Sequence, residues 1–367
     1  MLGEHGEEEH TYFIYESAIR VPLIVKLPNQ KEGVVVTQPV GLVDIVPTIC
    51  SLLDIDPPSQ AGGWDVSPLL RGEVPDPYER FIYSETMGPV RIGVSSLMAI
   101  STGRWKFIQA PRPELYDVIA DPGEVDNLLG QEQHRARILE DKLKEMLEQS
   151  VRTDPDSRID MDPESIKRLE SLGYVAGKEE GEMVFDENKD DPKDFIHVFE
   201  QFNKALNLRD TGEYAKAEAI LVDLIPERPD FQEIYIKLGD INVRQKNYNR
   251  AIVYYRRLHQ FDTPLPLPNT VYNDLAWIQA TRPSLMSRNV QEAVRYATKN
   301  CQQTKYNDPN ALDTLAVAYA AAGDFSKAVE TARKAHVLAF SRNDAALAQR
   351  ITNRLKLFEQ GKPYIEE

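Results

Sequence analysis

Two imidazoles and a run of carboxylates open the chain. His5 sits in Gly3-Glu4-His5-Gly6, His10 follows the run Glu7 to Glu9, and Tyr15-Glu16 comes next. A loop holding two His and a carboxylate cluster reads as part of an active-site wall. The elements that would position it follow directly. Val21 to Leu27 is short and rich in Val, Ile and Leu, the pattern of a strand buried on both faces of a parallel sheet. Tyr15 and Glu16 read as the end of a short helix before that strand. In open α/β sheets ligands gather outside the carboxyl ends of the strands. A strand bearing the main chemistry is expected before this loop, and Met1 stands in its place.

Composition narrows the field. A length of 367 residues suggests two or three domains, and 42% hydrophobic residues suffice for packed cores. The formal net charge is −15, which disfavours nucleic-acid binding, because neutralising phosphates needs clustered Lys and Arg. The acid excess lies before residue 194 and the remainder is close to neutral, so a boundary is expected there. Cys50 and Cys301 are too few for a disulfide framework or a zinc site, and both read as buried free thiols. No apolar run reaches the length of a membrane span, and no basic start with an apolar stretch marks a signal peptide.

Beyond the opening strand, Asp44 is placed to cap a helix with Pro47 in its first turn and Ile49, Leu52 and Leu53 on its apolar face. Residues 80–116 read as antiparallel strands: Arg80 to Glu85, Leu97 to Ile100, and Trp105 to Ile108, the last two joined by a hairpin turn at Thr102-Gly103. Glu114 to Asp117 follows, then Asp121-Pro122-Gly123-Glu124. Asp117, Asp121, Glu124 and Asp126 could pass for a metal cluster, but Asp-Pro-Gly is a turn signal and the acids read as solvated. A helix over about 131–150, apolar through Ile138, Leu139, Leu143, Met146 and Leu147, closes this part.

These residues resemble the sulfatases of the alkaline-phosphatase superfamily. The Gly-Glu-His-Gly loop, the Arg20 to Val25 strand, the Val43-Asp44-Ile45 helix, the Ser67 to Gly72 segment, the Arg104-Trp105-Lys106 hairpin, the Glu114-Leu115-Tyr116-Asp117 strand and the Asp-Pro-x-Glu turn all fit. The resemblance implies an α/β fold: a partial sulfatase-like sheet with a C-terminal antiparallel subdomain, over residues 1–152. It implies that His10 stands near the family's anion-binding Lys or His, with His5 assisting, so that a cationic imidazole would stabilise a sulfate in the transition state. His5 also reads as a loop residue held by local hydrogen bonds. The complete family domain uses a calcium-type divalent cation and a formylglycine made from Cys or Ser in a Cys/Ser-x-Pro/Ala-x-Arg motif. No Cys or Ser here fits that motif, and the metal-ligand motif would fall before Met1. Residues 1–152 are therefore expected to be the C-terminal part of a sulfatase, without its catalytic half. The chain alone is expected to be inactive on sulfate esters. Complete family members are often exported.

Residues 153–193 read as an acidic linker with one short helix around Ile166, Leu169, Leu172, Gly173 and Tyr174. A 34-residue period then appears: Tyr214 and Tyr248, Ala217 and Ala251, Ala205 and Gly239. Gly323-x-Phe325-x-x-Ala328 repeats the same letters, and a stretched copy holds Ala276 and Ala293. These motifs resemble tetratricopeptide repeats. Residues 194–367 are expected to form an all-α solenoid of four helix pairs, closed by a helix near 344–360. Such a solenoid implies a groove for a protein or peptide. Asn203, Asn242, Arg244 and Asn273 are its candidate lining, while Tyr254, Tyr255 and Trp277 read as core.

Three functions fit the sequence. One is the C-terminal part of a sulfuric-ester hydrolase with a protein-interaction tail. Another is a non-catalytic binding module, and the third a phosphoester or phosphonate hydrolase on the same scaffold.

Overall fold

The computed structural model describes residues 3–8, 10–28, 31, 33–74, 78–150, 185–261, 267–284 and 289–366. The chain divides into two compact units, Met1–Glu200 and Gln201–Glu367.

The first unit is built on an antiparallel meander of β1 (Ile82–Thr86), β2 (Leu97–Ser101), β3 (Trp105–Gln109) and β4 (Glu114–Asp117), neighbours in space as in sequence. The hairpin at Thr102-Gly103 forms as expected. Thr102 Oγ1 accepts from Trp105 N at 2.9 Å, and Ile100 pairs with Phe107, which pairs with Leu115. Side chains alternate across a strand, so Met98, Ile100, Phe107 and Leu115 share one face. Helix α4 (Gln133–Ser150) covers that face with Ala136, Leu139 and Leu143. Ile138, expected in this stripe, is exposed, because one position along a helix turns the side chain about 100° off the seam. The opposite face of β3 and β4 carries Lys106, Glu114 and Tyr116, all buried.

Several expectations for the opening segment are corrected. Val21 to Leu27 forms no strand, and Val21, Leu23 and Ile24 are exposed. A parallel strand hides both faces only between neighbours, and among the described residues no strand pairs with this one. The short helix α1 (Glu16–Ile19) begins at Glu16 rather than ending there. Helix α2 (Ile45–Leu52) buries Pro47, Thr48 and Cys50, while Ile49, Leu52 and Leu53 are exposed. Asp44 makes no cap bond to α2. Its carboxylate accepts from Gly41 N and Trp64 N, each at 2.8 Å, and pairs with the buried Arg80 guanidinium, which lies 4.1 Å from the Trp64 ring. Competing donors from two distant loops thus outbid the local cap.

Residues 185–200 belong to this unit. Asp191 accepts from Arg112 N at 2.9 Å, and Tyr12 Oη donates to Pro192 O at 2.9 Å. The island Ile166, Leu169, Leu172, Gly173 and Tyr174 lies outside the described residues.

Helices α5 (Ile196–Asp210) and α6 (Tyr214–Leu224) follow in sequence, and beyond them the helices pair as the period predicts: α7 (Gln232–Arg244) with α8 (Tyr248–Arg257), α9 (Asn269–Thr281) with α10 (Val290–Gln303), and α11 (Pro309–Ala321) with α12 (Phe325–Ser341). Helix α13 (Ala345–Glu359) comes last. The small residues of the motif lie where helices meet: Ala217, Ala251, Ala276, Ala293 and Ala328 are fully buried. A Cβ on Gly239 would stand 2.1 Å from the Tyr255 ring, so only glycine admits that ring. Gly212 and Gly323 both turn between consecutive helices at φ +84°, a left-handed conformation that glycine takes without strain. Lys246 holds the matching place at φ +61°. Cys50 and Cys301 are buried free thiols, as expected. Among the described residues no helix is long and apolar enough to cross a membrane.

Candidate functional site

The opening loop is shaped by a carboxylate. Glu7 is fully buried and accepts from Tyr12 N at 2.8 Å and Phe13 N at 3.0 Å. This corrects its reading as a solvating residue, since two backbone donors take the place of water. His5 has φ +54° and stacks on Tyr15, with ring centroids 3.6 Å apart and planes 14° apart. Its Nε2 lies 3.0 Å from Gly123 O. A carbonyl only accepts, so Nε2 carries the proton. Burial holds the imidazole pKa below its ordinary value, outweighing the Gly123 bond and the nearby acids. Burial thus works against the cationic form that anion binding by His5 would need. His10 is exposed, and burial raises the Glu7 pKa against the opposing pull of its bonds from Tyr12 N and Phe13 N.

Behind His5 stands a polar network that the sequence did not signal. Lys106 on β3 is fully buried, with Nζ 3.0 Å from Glu124 Oε1 and 3.2 Å from Glu16 Oε1. Glu124 also accepts from Glu16 N. Glu114 accepts from Tyr116 Oη at 2.9 Å and from Tyr15 Oη at 3.1 Å. Burial raises the pKa of both tyrosines, and burial raises that of Glu124 against the opposing pull of Lys106. The network ties loop, α1, β3, β4 and the Asp-Pro-Gly turn into one block. Glu124 was expected to be solvated, and it is 1% exposed instead. The one available hint was a Lys between Trp105 and Phe107 in an apolar strand.

The acids that mimic a metal cluster are engaged elsewhere. Asp117 pairs with Arg104 at 2.7 Å, and Asp121 Oδ2 accepts from Val125 N and Asp126 N. Among the described residues no three His, Cys, Asp or Glu side chains converge to hold a metal ion. The described residues do not supply a ligand set for the calcium-type cation that the resemblance implies.

The second unit carries a cleft of about 670 Å³ along α7 and α9. Glu233, Lys237, Asp240 and Arg244 of α7, Asn273 and Asp274 of α9, and Asn300 of α10 line it. Two of the four groove candidates, Arg244 and Asn273, are thus brought together. Asn242 is fully buried, donating from Nδ2 to Leu238 O at 2.8 Å and to Glu218 Oε1 at 3.2 Å, and is not among the residues that line the cleft. Asn203 is half-buried on α5, outside the cleft lining. Tyr255 is buried, while Tyr254 and Trp277 pack partly buried against the same core.

Comparison with known proteins finds two separate matches. Residues 3–153 match the family model described as N-sulphoglucosamine sulphohydrolase, C-terminal. Residues 232–258, which hold α7 and α8, match a tetratricopeptide repeat. Arylsulfatase K of Homo sapiens is 32% identical over 143 residues, covering 34% of this chain and 26% of its own. Arylsulfatase K of Gallus gallus is 34% identical over 143 residues with the same coverage. An N-acetylglucosamine-6-O-sulfatase of Bacteroides thetaiotaomicron is 28% identical over 167 residues, covering 43% of this chain and 30% of its own. The chain thus spans between a quarter and a third of the length of these relatives. Its front is similar to the C-terminal portion of sulfatases, and a match to a tetratricopeptide repeat follows it.

Proposed function

We propose that this chain supplies the C-terminal part of a sulfuric-ester hydrolase and carries a repeat tail that binds a protein or peptide. The match of residues 3–153 to the sulfatase C-terminal model supports the first half. The relatives' names point to aryl sulfates or sulfated N-acetylglucosamine as the class of ester. In this reading the front unit contributes scaffold. The Lys106–Glu124–Glu16 block fixes the opening loop, and exposed His10 is the residue left to approach an anion. In this reading the nucleophile comes from sequence other than these 367 residues, because no Cys/Ser-x-Pro/Ala-x-Arg motif occurs among them. A formylglycine supplies a hydrated aldehyde as nucleophile and the cation draws charge from the sulfate.

The test is chemical. Protein made from the reading frame extended upstream is treated with a hydroxylamine probe that captures aldehydes, and labelled peptides are located by mass spectrometry. The expected result is one labelled site in a Cys/Ser-x-Pro/Ala-x-Arg sequence. An extended frame without that motif, or a protein that takes no label, overturns the reading.

A further inference from the structure

The repeat cleft holds acceptors that the chain itself does not satisfy. Tyr255 Oη lies 2.7 Å from Asp240 Oδ1 and 3.1 Å from Asp274 Oδ2. A hydroxyl has one proton, so it serves one carboxylate and leaves the other without a donor. Burial, with the charge of Asp240 adding to it, pushes Asp274 up to about 6. Arg244 pulls the other way from a distance. A second, separate observation comes from α10. Asn300 is 2% exposed and borders the same cleft, and its Oδ1 has no hydrogen-bond partner. Its Nδ2 faces Asn273 Oδ1 at 3.5 Å. A buried acceptor left without a donor costs about 1–3 kcal/mol.

We propose that this cleft receives a cationic side chain, arginine or lysine, of a bound peptide, with Asp240 and Asp274 opposing its charge and Asn300 Oδ1 accepting one of its N–H groups. The surplus of acceptors selects a group that only donates. Arg209, Lys237 and Arg244 also line the cleft, against Glu233, Asp240, Asp274 and Asp308, so the acids exceed the bases by one and the shared Tyr255 proton leaves the surplus at Asp240 and Asp274. A hard divalent ion takes about six to eight oxygen ligands, and among the described residues no group of three metal-ligating side chains exists. The proposal rests on the reading of the repeats as a protein-binding face.

The experiment titrates the full chain, labelled with nitrogen-15, with N-acetyl-arginine amide, N-acetyl-lysine amide, the neutral citrulline analogue and the glutamate analogue. The readout is the side-chain amide signal of Asn300, assigned by its loss in Asn300→Ala. A saturable shift with the arginine or lysine compound is expected, roughly tenfold tighter than with citrulline. Asp274→Asn should weaken it about tenfold, and Asp240→Asn serves if that variant does not fold. The tighter of the two cations identifies guanidinium or ammonium. Equal binding of citrulline and arginine, preference for glutamate, or indifference to both Asp variants overturns the proposal. Silence of Asn300 towards all four compounds also overturns it. A pool of random decapeptides then separates the two ideas: movement of other repeat signals keeps the protein-binding reading, and none removes that reading as well.

Discussion

Lys106 Nζ and Glu124 Oε1 meet at 3.0 Å, and neither side chain is more than 1% exposed. The strand that carries Lys106 puts Trp105 and Phe107 on the helix side and turns the ammonium to the other. There it reaches the turn after β4 and the start of α1. A charge held in such a place must be paired, since desolvating it alone is costly.

Removing one partner should therefore be expensive. Lys106→Met keeps the volume and strands Glu124, and is expected to destabilise the front unit by about 3–5 kcal/mol. Adding Glu124→Gln should recover part of the loss, with a coupling of about 1–3 kcal/mol. Urea unfolding followed by tryptophan fluorescence measures both. Additive effects would show that the pair does not bind the block together.

Asp274 gives a pH signature of stated sign. Its folded value, about 6, lies above the ordinary 3.8, so the folded chain holds this proton more tightly than the unfolded chain does. The stabilisation is complete below 3.8 and is lost as pH rises through about 6. The stability of the parent minus that of Asp274→Asn is expected to fall by about 2 kcal/mol between pH 4 and pH 7. Thermal melts across that window check it. A flat difference would mean that Asp274 is no more burdened than a surface acid.

The helix contacts of the repeats can be probed by size. Ala328 is fully buried on α12, and Ala328→Asp should cost on the order of 3 kcal/mol or more, because it buries an unpaired carboxylate. Glu330, exposed and paired with Lys334 at 2.7 Å, should leave the melt nearly unchanged when replaced by Ala. A circular-dichroism melt of both variants decides whether the assigned phase of α12 is right.

Gly239→Ala makes a sharper case. Alanine favours a helix over glycine by about 1 kcal/mol, yet here its Cβ would stand 2.1 Å from the Tyr255 ring. Net destabilisation of about 1–3 kcal/mol is expected from overpacking. A more stable variant would contradict the helix contact.

The sequence disclosed what local signals carry. Period-two patterning located β2 and β3, and the 34-residue period located the helix pairs, because small residues at fixed spacing are what close helix contacts require. It did not disclose what depends on distant partners. Asp44 looked like a cap, and its donors from Trp64 and Arg80 lie about 20 and 36 residues away in sequence. Glu7 and Glu124 looked solvated, because nothing local marks an acid that a fold will enclose. Asn242 had the right type for a groove and the wrong side of its helix. His5 had the right type for an anion, and the fold turned it against Tyr15 and Gly123.

The reading of the front unit as part of a sulfuric-ester hydrolase is tested most directly by sulfate release from 4-nitrophenyl sulfate. The 367-residue chain is assayed beside the same chain extended upstream along its reading frame. The expected result is no turnover by the chain alone and multiple turnovers by the extended protein. Sustained turnover by the chain alone, surviving controls for contaminating enzyme, or none by an extended protein that is folded and carries the aldehyde, would contradict it.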